Sequence, residues 1–86
     1  MKTFYLNKSH KSHVNQYEVD GVTYSDLVSY ETRVAYFNHN ENYLVVLGWF
    51  SSTTAKHINE FIEYYGFDKL TKKEMEQKPN LEGCKL

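Results

Sequence analysis

Between Val28 and Gly66 the spacing of apolar residues changes from two to about 3.6, and that change constrains the fold more than any other feature. Val28, Tyr30, Thr32, Val34 and Tyr36 alternate with Ser29, Glu31, Arg33 and Ala35. Strict alternation is the mark of a half-buried antiparallel strand, so the spacing predicts one strand along this stretch. Asn38-His39-Asn40-Glu41-Asn42 contains no apolar residue and reads as a turn. Tyr43-Leu44-Val45-Val46-Leu47 returns as a continuous apolar run, more like a central strand than an edge. Gly48 interrupts it, which predicts a bulge or a close approach of another backbone. After the hydroxyl cluster Ser51-Ser52-Thr53-Thr54, apolar residues fall at Ala55, Ile58, Phe61, Ile62 and Tyr65. That is the spacing of a helix with one face on a core. Lys56, Asn59, Glu60 and Glu63 cover its outer face, and Gly66 is placed to end it.

The flanks add to this frame. Asp20-Gly21 sits inside Gln16–Tyr24 and is a preferred two-residue hairpin turn, because a type I′ turn needs positive φ at both central positions. It predicts Val19 facing Val22 and Tyr17 facing Tyr24. Ser25-Asp26 reads as the end of that hairpin. Thr3-Phe4-Tyr5-Leu6 is a candidate edge strand, and Asn7–His13 a polar, basic loop, so residues 1–13 read as a mobile arm. Thr71-Lys72-Lys73-Glu74 has the form of a capping box, opening a helix of no more than about two turns before Pro79. Residues 79–86 read as a tail. The expected fold is a single α+β domain over residues 1–86. It has an antiparallel sheet of three to five strands, one main helix (Thr54–Tyr65) packed on one face, and a short C-terminal helix.

Composition narrows the function classes. Ten Lys+Arg against eleven Asp+Glu give a net charge of −1, and Arg33 is the one arginine. A protein that neutralises many phosphates shows a basic excess or stripe, so wholesale duplex binding is disfavoured and a local patch is left open. The single cysteine, Cys84, allows no disulfide within the chain, which fits a reducing compartment. No apolar run approaches the ~20 residues of a membrane span, and no signal-peptide pattern opens the chain. The expected location is the cytoplasm, with no membrane partner.

The chemistry-bearing residues point away from catalysis. His10-x-x-His13 is an isolated pair, short of the clustered ligands that zinc requires. Cys84 lies in the expected tail, where no base or acid orients it. No glycine-rich phosphate loop occurs, and Glu60 and Glu63 fall on an exposed helix face. A non-enzymatic protein with no metal and no cofactor is the expectation. Residue types converge at the helix start, where Ser51, Ser52, Thr53 and Thr54 precede Lys56 and His57. Unpaired N–H groups and the helix dipole favour an anion or a partner's carboxylate there; the plainer reading is one cap among surface hydroxyls. Eight Tyr, five Phe and one Trp exceed what a small core uses. Most of the tyrosines serve as strand formers, and the remainder suit base stacking or a protein interface. With Arg33 placed by the alternation opposite Tyr30 and Tyr36, the balanced charge favours the interface. Arg33 and Trp49 are the candidate partner-facing side chains.

Val28-Ser29-Tyr30-Glu31-Thr32-Arg33-Val34-Ala35 and the run from Leu47-Gly48-Trp49-Phe50 through Ser51-Ser52-Thr53-Thr54-Ala55-Lys56-His57 to Phe61 resemble a group of short phage and prophage proteins of unknown function. In that group a Tyr-Glu-Thr-like strand leads to a Gly-aromatic-Ser-x-Thr-Thr segment. A basic residue and His then open a helix that closes on Tyr-Gly-Phe, matched by Tyr65-Gly66-Phe67. The resemblance spans about half the chain and implies a phage or mobile-element origin. Small proteins of that origin often act by binding host machinery, including inhibition of defence nucleases. The expected function is docking on a host or phage protein, with nucleic-acid binding through a local basic patch as the alternative. Open sheet edges make a homodimer compatible with this reading.

Overall fold

In the computed structural model, strands β1 (Lys2–Phe4), β2 (Ser12–Val19), β3 (Val22–Ser29), β4 (Thr32–Asn38), β5 (Tyr43–Val46) and β6 (Asn80–Glu82) form one antiparallel sheet. The strands lie side by side in chain order. Helices α1 (Ser52–Tyr64) and α2 (Lys72–Glu76) fall between β5 and β6. The structure describes residues 1–82; Cys84 and the end of the expected tail lie outside the described residues. The class is α+β, but six strands replace the three to five that the spacing predicts. The strand beyond that range is β6, in the stretch read as a tail. Leu81 is its one apolar residue, so no periodicity marks it. It is recruited by β5, where Leu81 pairs with Leu44 and the Val46 N–H donates to the Pro79 carbonyl at 3.0 Å.

The Asp20-Gly21 turn forms as its residue types require. Both residues have positive φ, 50° and 82°, and Val19 pairs with Val22 and Tyr17 with Tyr24. Beyond it, the strand boundaries differ from the alternation. Ser25-Asp26 does not end the hairpin, because β3 continues to Ser29 and pairs with β2 as far as Ser12. The chain then reverses at Tyr30-Glu31, inside the stretch expected to be one strand. Tyr30 takes φ 58°, a conformation that costs a non-glycine residue about 1–2 kcal/mol. Its N–H donates to the Lys11 carbonyl at 2.7 Å, and its ring lies 5.9 Å from that of His57. Tertiary contacts therefore hold a turn that carries no glycine or asparagine signal.

A bulge follows. Leu27 pairs with Ala35 but Val28 pairs with Arg33, which leaves Val34 as the extra residue. Val34 and Ala35 are both buried, and every residue on the N-terminal side of the bulge changes face. Arg33 thus lies on the same face as Tyr36, its guanidinium 4.4 Å from the ring centre, and not opposite the tyrosines as strict alternation predicts. One inserted residue is enough, because side chains in a strand repeat every two.

The core lies between α1 and one sheet face. Val14, Leu27, Phe37, Leu44 and Val46 from the sheet meet Ile58, Phe61 and Ile62 from α1, and Met75 of α2 joins them. Ser51 caps α1, its hydroxyl accepting from the Thr54 N–H at 3.2 Å. Gly66, at φ 85°, follows its end. Thr71 and Glu74 form the complete capping box of α2. No described helix is long and apolar enough to cross a membrane.

Candidate functional site

The buried stripe of α1 continues to its N-terminal end as Thr54 and His57, each only 5 % exposed. They meet Ser29, which β3 places on its core face, 2 % exposed and paired with the buried Ser12 of β2. The Ser29 hydroxyl lies 2.9 Å from Thr54 Oγ1 and 2.8 Å from His57 Nδ1. Counting donors fixes the direction. If Thr54 donates to Ser29 and Ser29 donates to Nδ1, both hydroxyl hydrogens have acceptors. The reverse order leaves the buried Thr54 hydrogen with none, a cost of about 1–3 kcal/mol. His57 is therefore the tautomer with its proton on Nε2. Among the described residues that atom has no hydrogen-bond partner, and it is not sealed from solvent; the imidazole lines a hollow of about 330 Å³ between α1 and the β1–β2 loop.

This hollow is lined by Asn7 and Lys11 of the loop and by Thr53, Lys56, His57 and Glu60 of α1. The four helix positions follow the i, i+3, i+4, i+7 spacing of one face. Asn7 ties the loop to the helix through its Nδ2, which donates to Glu60 Oε1 at 2.9 Å. Burial pushes the His57 imidazole below its usual pKa; Glu60 opposes this, while Lys11 and Lys56 push the same way. A second relay lies at the other end of α1. Tyr65 donates to the Ser25 hydroxyl at 2.8 Å, and Ser25 bonds His39 Nε2 at 2.7 Å. Burial lowers the His39 pKa as well.

Both imidazoles are thus uncharged in the folded protein at neutral pH, whereas in the unfolded chain they titrate near about 6.5. Between that value and the lower folded values the unfolded chain binds more protons. Stability is expected to be fully present above about pH 6.5 and to be lost as pH falls through the folded values. Urea midpoints measured down the pH scale, with the imidazole proton resonances followed in parallel, check this. Folded-state titration of either ring at or above its unfolded value would contradict it.

The residues expected at the helix start thus separate by role. Ser51 is the cap, and Thr54 and His57 are interior. Thr53 and Lys56 line the hollow, while Ser52 faces a different groove of about 410 Å³ with Trp49, Lys56 and Leu70. There the Lys72 ammonium lies 4.3 Å over the Trp49 ring, and Asn59 exchanges hydrogen bonds with the Leu70 backbone at 3.1 and 2.8 Å. Arg33 is remote from both, on the sheet face that α1 leaves uncovered. Sequence reasoning missed Ser29, Asn7 and Lys11 as partners of the helix start, because none is near it in the chain. Extending the stripe of Ile58 and Phe61 back by four residues would have marked Thr54 and His57 as interior.

The uncovered sheet face carries a row of four tyrosines from four neighbouring strands. Ring centres lie 5.7 Å apart for Tyr17 and Tyr24, 6.5 Å for Tyr24 and Tyr36, and 6.5 Å for Tyr36 and Tyr43. Asp26 lies beside them, accepting from the Tyr17 hydroxyl at 3.0 Å and from Arg33 Nε at 3.1 Å. Burial, then the bond to Asp26, pushes the Tyr17 phenol above its usual pKa. Among the described residues no group of three or more His, Cys, Asp or Glu is placed to hold a metal ion.

No curated protein and no solved structure shows significant similarity to this chain. The model of a family of unknown function (DUF8033) matches residues 1–77, nearly the whole chain, and the protein belongs to that family.

Proposed function

We propose that this is a non-enzymatic binding protein that docks on another protein through its tyrosine-bearing sheet face. The arrangement around Asp26 carries the reading. A base-stacking surface needs free cations beside its rings. Here Arg33 is spent on Asp26 and on the face of Tyr36. Tyrosine rings held by cross-strand neighbours lose little entropy on contact and offer both apolar area and a hydroxyl, which suits a neutral protein surface. The resemblance to short phage proteins supports a partner in the cytoplasm of a host cell, with inhibition of host defence as one such role.

The test is capture from nuclease-treated host lysate by the wild type and by a Tyr24→Ser/Tyr36→Ser double variant. Each lost cross-strand pair costs about 0.2–1 kcal/mol, so the variant stays folded, which circular dichroism verifies. The expected result is a nuclease-resistant protein partner whose affinity falls roughly 30-fold in the variant, the effect of losing about 2 kcal/mol at a hot spot. Capture that disappears with nuclease, or that falls steeply with added salt, would favour nucleic acid and overturn the proposal.

A further inference from the structure

The hollow between α1 and the β1–β2 loop has a use independent of the sheet face. We propose that it is a binding site for a small oxyanion, held by the Lys11 and Lys56 ammonium groups, the His57 Nε2–H and the Thr53 hydroxyl. Three observations carry this. The hollow's volume of about 330 Å³ falls at the small end of the ~300–1,000 Å³ range of ligand clefts. His57 is only 5 % exposed, yet it lines the hollow, and among the described residues its Nε2 has no hydrogen-bond partner. The relay Thr54 to Ser29 to Nδ1 fixes that nitrogen as a donor, so an acceptor is what completes it. The charges agree. Lys11 and Lys56 outnumber Glu60, and one oxygen of Glu60 is occupied by Asn7. Thr53 lies in the first turn of α1, where the helix dipole also favours negative charge.

The shared ligand chemistry is a compact oxyanion, either a phosphate group or a carboxylate. The two are separated by titrating the full chain with inorganic phosphate and, in a second arm, with acetate. Amide and imidazole resonances of Thr53, Lys56 and His57 report binding, and chloride at equal ionic strength is the reference. Saturable shifts at these three residues are expected with at least one anion, and the stronger of the two names the class. Lys11→Gln and Lys56→Gln should each weaken binding roughly two- to fivefold, the scale of one partly exposed charge pair. Glu60→Gln should strengthen it. These three side chains lie outside the apolar core, so the variants are expected to fold. Shifts no larger than those of chloride with both anions, or an affinity unaffected by the lysine substitutions, would overturn the proposal. Neither result touches the tyrosine face, so failure here and failure of the docking reading are distinguishable.

Discussion

Phe61→Ala should destabilise the protein by about 3–5 kcal/mol, the cost of deleting a large aromatic ring from a closed core. Phe61 has no solvent exposure, and its ring meets that of Tyr65 edge-on at 5.2 Å. Single domains have only about 5–15 kcal/mol in total, and 86 residues place this one among those that bury the smallest share of their surface. The variant should be partly unfolded near room temperature. Urea unfolding followed by circular dichroism would show a much lower midpoint at an unchanged slope. A loss under about 1 kcal/mol, well below the usual cost of such a deletion, would mean that α1 does not pack as described.

Ser29→Ala should come second, although it removes a single oxygen. Two groups lose their partner at once: the Thr54 hydroxyl and His57 Nδ1. Each orphaned polar group away from water costs about 1–3 kcal/mol. A double-mutant cycle with Thr54→Val separates this from loss of packing. Once Thr54 has no hydroxyl, removing Ser29 should cost less, with a coupling of about 0.5–3 kcal/mol. The variant also reports on the relay. With Ser29 gone, nothing on the core side of His57 supplies a proton to Nδ1, so nitrogen resonances of the ring should show a mixture of tautomers in place of one. Additive energies together with an unchanged tautomer would refute the relay.

Features carried by local residue chemistry were legible in the sequence. Asp20-Gly21 can satisfy two positive φ values cheaply, and Thr71 with Glu74 can close a cap, whatever the rest of the chain does. The stripe through Ile58, Phe61 and Ile62 is equally local. What was not legible depends on contacts distant in sequence. The turn at Tyr30 rests on a carbonyl of Lys11 and on the ring of His57. The bulge at Val34 leaves no mark, since valine and alanine suit either face. β6 exists because β5 presents an edge, and three residues with one leucine cannot announce a strand. At the candidate sites, the helix start drew notice for its hydroxyls, but two of the residues expected to meet a ligand are interior. Their burial is what sets the donor on Nε2. The tyrosine row depends on the register of four strands, and the bulge at Val34 adds Arg33 to its face.

The order of strands in the sheet bears on how the chain reaches this state. Four of its five ladders join strands that follow one another directly, and two of those close through two-residue turns at Asp20-Gly21 and Tyr30-Glu31. Forming such hairpins requires little loop-closure entropy, so a meander of this kind can assemble stepwise from β2–β3 outward. The β5–β6 ladder instead spans both helices and closes a much longer loop. Chains dominated by contacts between near neighbours fold quickly. The closure of α1 over the meander and the fastening of β6 to its edge are therefore expected to follow the hairpins. A chain folding in that order leaves the core face of the meander open to solvent until α1 covers it.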